Sequence, residues 1–246
     1  MRFLFANIFF AFVFYQSAGG QNQAAQAVFE LIYNQDYHKA EELLRDQKDS
    51  IGPLYSAVLE IDLSYWKNVT GTDDPDYKAF ENTLDAYDSK PSETESETVT
   101  ELIIMSYRLR YQLKRYQLLR AISTRRKTVE LFDGFKSQSN KLDGDQLQLF
   151  KLYNALIVYF DNYLKPFFAG DKRSEMNEAI AEMEQLTRSN HIIIRTLSSY
   201  FAGKVFLNYE KQPQKAAMHF EWLKARYPEN KKFSELLMEC SDMYEN

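Results

Sequence analysis

KQPQKAAMHFEWLKARYPEN (residues 211–230) decides the fold, because YNQDYHKAEELLRD (residues 33–46) repeats its pattern. Each opens on an aromatic residue or proline, places Ala three residues later and a large apolar residue four beyond that. The first reads Tyr37, Ala40 and Leu44, the second Pro213, Ala216 and Phe220. Steps of three and four set side chains on one face of a 3.6-residue helix. A small residue within that face lets two helix backbones approach closely, so the shared phrase marks a shared packing unit.

The same period runs through the chain. Leu149, Leu152, Leu156, Phe160 and Tyr163 step by three and four, as do Met176, Ala179, Ile180, Met183 and Leu186. No run alternates with period two. The breaks fall at DSIGP (49–53), VTGTDDPD (69–76), DSKPSETE (88–95), KLDGD (141–145), FAGDK (168–172), RSN (188–190), KQPQ (211–214) and YPEN (227–230). Ser92-Glu93-Thr94-Glu95 and Thr98-Val99-Thr100-Glu101 both fit a capping box, and Asp74 and Asp171 are candidate caps. The spacing predicts helices near 22–34, 37–48, 53–67, 75–88, 95–112, 114–135, 145–164, 172–188, 191–209, 213–226 and 230–244. In the second helix of each pair an Ala recurs: Ala40, Ala79, Ala121, Ala179 and Ala216. Ala121 is the one that no large apolar residue follows by four.

DYHKAEELL and QPQKAAMHFEWLKARYPEN resemble second helices of tetratricopeptide repeats. That family opens the helix on an aromatic residue or proline, continues with a small Ala and an aromatic or Leu four later, and closes on Pro. Pro213, Ala216, Phe220 and Pro228 follow the pattern, as do Tyr37, Ala40 and Leu44. The 58-residue step from Ala121 to Ala179 exceeds the family's repeat of about 34. Residues 147–230 also resemble exported tetratricopeptide proteins of Gram-negative bacteria. The resemblance implies an all-α, right-handed solenoid of about five antiparallel helix hairpins with a C-terminal capping helix. In that cap, NKKFSELLMECSDMYEN, Phe233, Leu236, Leu237 and Cys240 form the expected buried side.

The first residues have another grammar. Arg2 precedes an apolar run from Phe3 to Tyr15, followed by Ser17, Ala18, Gly19 and Gly20. The run is too short to span a bilayer, which needs about 20 residues, and it fits a cleavable secretory signal. Residues 1–20 are therefore expected to be the signal and 21–246 a single domain, periplasmic or extracellular. No Cys follows the signal, which argues against a lipoprotein. Cys240 is the only Cys, so no internal disulfide forms, and stability must come from apolar burial; 45% apolar residues suffice for a large core. Loss of Arg2 would take the net charge from −5 to −6, which weighs against nucleic-acid binding. Asn68-Val69-Thr70 is a glycosylation acceptor in a eukaryotic secretory route.

A search for chemistry finds little. His38, His191 and His219 form no metal-binding spacing, and His38 and His219 sit where the repeat pattern leaves solvent. No glycine-rich phosphate loop, G-x-S-x-G or C-x-x-C occurs. Glu60/Asp62 and Glu182/Glu184 are two apart on helices and point apart. No catalytic residue, cofactor or metal site is assigned. The anomaly is YRLRYQLKRYQLLRAISTRR (107–126). Arg108 to Lys127 holds eight basic residues and no acid, while residues 73–101 hold ten acids. Either the two stretches pair, at about 0–1 kcal/mol per exposed pair, or the basic one receives an anionic partner: an acidic peptide, a phosphorylated lipid head group or a glycan.

The expected function is non-covalent recognition of another envelope protein or peptide by a scaffold or adaptor. An exported carbohydrate or small-ligand binder is the alternative, and a hydrolase ranks third. In a tetratricopeptide stack the first helix of each pair lines the concave face. This puts Arg108, Tyr111, Arg115, Tyr153, Asn154, Tyr200, Lys204 and Asn208 on the expected partner surface.

Overall fold

Three hairpin turns are built alike. Gln35, Tyr116 and Lys211 take left-handed backbone angles, with φ of 63°, 57° and 54°. The next residues, Asp36, Gln117 and Gln212, lend their carbonyls to the N–H groups of Ala40, Ala121 and Ala216 at 3.0, 2.9 and 3.1 Å. In the first two turns the chain closes in a Schellman motif. The N–H groups of Asp36 and Gln117 reach back to the carbonyls of Leu31 and Gln112, and those of Gln35 and Tyr116 to Ile32 and Leu113. In the third, Gln212 reaches Phe206. The alanines are buried in all three. Ala121 thus shares the local geometry of Ala40 and Ala216, although Arg125 stands where they are followed by Leu44 and Phe220. Arg125 bonds Asp161 at 2.6 Å, so an ion pair fills the apolar position.

The structure, a computed structural model, describes residues 23–87, 94–165 and 172–245. Among them are eleven α-helices and no strands. They are α1 (23–33), α2 (Tyr37–Ile51), α3 (Pro53–Tyr65), α4 (Tyr77–Asp85), α5 (Glu95–Lys114), α6 (Leu118–Lys136), α7 (Gly144–Leu164), α8 (Lys172–Leu186), α9 (Ile192–Asn208), α10 (Pro213–Arg226) and α11 (Lys231–Glu245). Each falls on a predicted helix. The expected signal segment, the Asp171 cap and the Ser92 end of one capping box lie outside the described residues.

The chain divides into two compact units at Phe80 and Glu81, inside α4. In the first, α1 to α3 bury Val28, Phe29, Ile32, Tyr33, Leu44, Leu54, Val58 and Ile61. Tyr33 lies between Phe29 and Trp66, at ring distances of 4.2 and 5.0 Å. Helix α3 runs on into a π-helical turn, Trp66–Thr70. There Asn68 donates its amide to Ser64 Oγ at 3.1 Å.

In the second unit α5 packs on α6, α7 on α8, and α9 on α10, while α5 touches α7 and α7 touches α9. Helix α9 is buried nearly all round, from Ile193 to Leu207. It meets α10 closely because Gly203 has no side chain: a Cβ there would come within 2.7 Å of the Phe220 ring. Helix α11 covers α10 and buries Phe233, Leu236 and Cys240, with Leu237 half-buried.

Two local expectations are corrected. Helix α4 is capped by Asp76, not Asp74; its carboxylate accepts from the Ala79 N–H at 3.0 Å. The helix therefore starts at Tyr77 and buries Phe80 and Leu84, leaving Ala79 half-exposed. The box that caps α5 is Thr94 with Glu97, where side chain and backbone bond reciprocally at 3.2 and 2.9 Å. Thr98 lies inside that helix, its hydroxyl bonded to the Thr94 carbonyl. The run S-E-T-E-S-E offers two overlapping frames, and the second, Thr94 with Glu97, forms.

Candidate functional site

The residues expected on the partner surface separate by side-chain burial. Tyr111, Tyr153 and Tyr200 are buried. Their rings are taken up by packing: Tyr153 meets Tyr107 and Phe201, and Tyr200 meets Phe201 and Phe233. Their helices touch neighbours on several sides, so positions off one apolar stripe fall under the next helix. Asn154 and Lys204 are half-buried, and burial holds the Lys204 ammonium below its usual range. Arg115 and Asn208 are exposed, and Arg108 is half-buried.

The basic stretch divides in the same way. Arg108 bonds Asp85 at 3.0 Å, and Arg120 lies 3.9 Å from Glu81, so part of it does pair with the acidic stretch. Arg110 lies over the rings of Tyr107 and Phe201, at 4.2 and 4.7 Å. Arg125 is held by Asp161. Lys114, Arg115, Arg126 and Lys127 are exposed around the α5–α6 turn.

Between α5 and α6 lies a groove of about 660 Å³, lined by Glu101, Met105, Arg108, Ser123, Lys127 and Leu131, with Thr124 and Glu130 completing the wall. Two cations, two carboxylates and two apolar side chains share this lining. Such a mixture suits an extended segment bearing both charges and an apolar anchor.

A second recess, of about 460 Å³, lies among α8, α9 and α10. Arg195 stacks over Trp222 at 4.4 Å, and Arg188 and Lys215 add positive charge opposite Glu184. His219 was expected in solvent; it is half-buried and lies parallel to the Phe206 ring at 5.8 Å. Burial holds its imidazole below the usual range, so it favours the neutral form. His191, at the N-terminus of α9, is pushed the same way by burial, against the pull of Asp145 at 3.6 Å. His38 is exposed.

A third cluster joins α7, α8 and the end of α9. Glu210 accepts from the Tyr159 hydroxyl at 2.7 Å and from both Arg173 terminal nitrogens at 3.1 and 2.7 Å. Arg173 holds the carboxyl below its ordinary range, while burial and the carboxylate push the Tyr159 phenol up. These partners lie 37 and 51 residues apart, so no local pattern marks them. The same holds for Arg195 and Trp222. Among the described residues no cluster of His, Cys, Asp and Glu is placed to hold a metal, and no helix is long and apolar enough to cross a membrane. No family model, curated protein or solved structure matches the chain.

Proposed function

We propose that the chain is an exported, tetratricopeptide-like α-solenoid scaffold that recognises another envelope protein or peptide non-covalently. The observation that carries this reading is the α5–α6 groove. Lys127 supplies a charge-assisted donor for a carboxylate, Arg108 and Glu130 line the groove beside their own partners Asp85 and Arg126, Glu101 adds a carboxylate, and Met105 and Leu131 give an apolar floor. The serial contact of α5, α7 and α9 supports a stacked array, in which neighbouring hairpins supply the burial that each lacks alone. Arg115 and Asn208 stay in the proposed surface as its exposed members.

The test is a photoreactive residue at Ser123, in the groove, compared with one at the exposed Met238 on α11. Crosslinking in the native envelope should give one discrete adduct from the groove position and none from α11. Identical adducts from both positions, or none from Ser123, would overturn the reading. A small-ligand or glycan binder is the second reading, favoured by the Arg195–Trp222 stack. Loss of the Ser123 adduct on adding glycans would select it.

A further inference from the structure

The three like turns provide an internal control. Counting from the left-handed residue, positions zero, three and six are exposed or half-buried at each turn. The first turn places Gln35, His38 and Glu41 there, and the third Lys211, Gln214 and Ala217. The second places Tyr116, Leu119 and Ile122, which are 86%, 85% and 61% exposed. Leu118 beside them is 60% exposed, where its counterpart Pro213 is buried. The turn itself does not require these apolar side chains, since two other copies of it form with other residues.

Leu119, Ile122 and Arg126 step by three and four along the face of α6 opposite its buried Ala121, Thr124 and Thr128. Lys114, Arg115, Arg120 and Lys127 are exposed around that face. Among the described residues, Arg126 lies 3.4 Å from Glu130 and Arg120 lies 3.9 Å from Glu81. A net-negative chain thus concentrates positive charge around its most exposed apolar tip.

We propose that the tip of the α5–α6 hairpin docks on an anionic lipid bilayer. Tyr116, Leu119 and Ile122 enter the boundary between head groups and acyl chains, and the surrounding Arg and Lys side chains bind lipid phosphates. The bilayer is favoured over a protein occupant by the company the apolar side chains keep. Exposed apolar residues at a hairpin tip ringed by exposed Lys and Arg match an interface of acyl chains beneath anionic head groups. The site adjoins the peptide groove, sharing Lys127 with it, and goes beyond the scaffold reading.

The test uses the full chain and vesicles of phosphatidylglycerol with phosphatidylcholine, beside vesicles of phosphatidylcholine alone. Tyr116→Gln, Leu119→Gln and Ile122→Ala are combined, since the fold already carries these residue types at the equivalent positions of its other turns. Partitioning onto the anionic vesicles should fall at least about tenfold in the triple variant. Arg115→Gln should weaken it about fivefold, as one cation near the surface is lost. Because the apolar N-terminal run could bind vesicles by itself, a local readout is added. In Leu119→Trp the new indole should be quenched by lipids brominated in their acyl chains, only when phosphatidylglycerol is present. A triple variant that partitions like the parent, or an unquenched indole, overturns the proposal. The patch would then belong to a second copy of the chain if the parent self-associates without lipid and the triple variant does not, and otherwise to a protein partner.

Discussion

At the α9–α10 turn the outer positions hold Lys211 and Gln214, both exposed, and Ala217, half-buried; at the α5–α6 turn the same positions hold Tyr116, Leu119 and Ile122, all exposed. The faces beneath differ in the opposite sense. Helix α10 buries Ala216, Phe220 and Leu223, and Gly203 lets the Phe220 ring against α9. Helix α6 buries Ala121, Thr124 and Thr128 before reaching Phe132, and where α10 has Phe220 it has Arg125, tied to Asp161. The Thr128 hydroxyl is spent on the Thr124 carbonyl at 2.8 Å. One hairpin concentrates apolar residues in the core, whereas the other carries several of its own at the surface. The difference teaches that one turn can serve stability in one copy and contact in another.

The largest expected effect tests the core half of this contrast. Ala216→Glu forces a carboxylate into a fully buried position. Overpacking costs about 1–3 kcal/mol, and the unpaired charge adds to it, so a loss above about 3 kcal/mol is expected. Ala121→Glu should lose about half as much, because Arg125 stands one turn further along α6 and the face there is built of Thr124 and Thr128 where α10 has Phe220 and Leu223. Urea melts of both variants measure this. Equal losses would make the two hairpins energetically alike and break the comparison.

The clamp on Glu210 comes next, since it holds the α9–α10 end of the molecule to α7 and α8. Arg173 is more than half exposed, so screening limits the expected loss in Glu210→Gln to about 1–2 kcal/mol at neutral pH. The carboxyl is held below its ordinary value of 4.5. Its contribution is therefore complete above that value and is lost as pH falls through the lowered one. The gap between parent and variant should close as melts are taken from pH 7 toward pH 3. A gap that persists in acid would assign the effect to packing. His219→Ala is smaller again, at about 1 kcal/mol, from loss of the ring against Phe206. A variant as stable as the parent would return His219 to a purely solvent role, the one its sequence position suggested.

How much of this could be read in advance depended on how local the cause was. All eleven helices lie where the three-four period put them, because caps and breaks are written within a few residues. Ala216 and Ala40 were legible for the same reason. Ala79 was not, since the cap moved to Asp76 and the buried face turned with it. The three tyrosines failed differently. Helix α9, IIIRTLSSYFAGKVFLN, carries apolar or small residues around most of its circumference. It therefore marks no outward face, and Tyr200 could not be told from a surface anchor. The ion pair of Arg125, the clamp on Glu210 and the Arg195–Trp222 stack join distant segments, and only folding brings them together. The basic stretch was visible as charge, but the neighbouring leucines carried no sign that the fold would leave them in water.

The smallest expected effect has the opposite sign and bears on why Tyr116 stands where it does. An L-residue with a side chain pays roughly 1–2 kcal/mol for the left-handed region, and Gly avoids that at the cost of greater freedom when unfolded, about 0.5–1 kcal/mol. At φ 57° and 86% exposed, Tyr116 carries the backbone penalty with little side-chain burial to offset it. Tyr116→Gly should therefore stabilise the chain, by about 0.5–1 kcal/mol, read as a higher urea midpoint with an unchanged slope. Lys211→Gly should give a gain of the same size, because its φ of 54° lies in the same left-handed region. If both gains appear, the turn tolerates Tyr and Lys alike against its own backbone preference, and the choice between them is made by what faces outward. If Lys211→Gly stabilises and Tyr116→Gly destabilises, the Tyr116 ring contributes to folding, and its place in the docking patch would have to be argued from Leu119 and Ile122 alone.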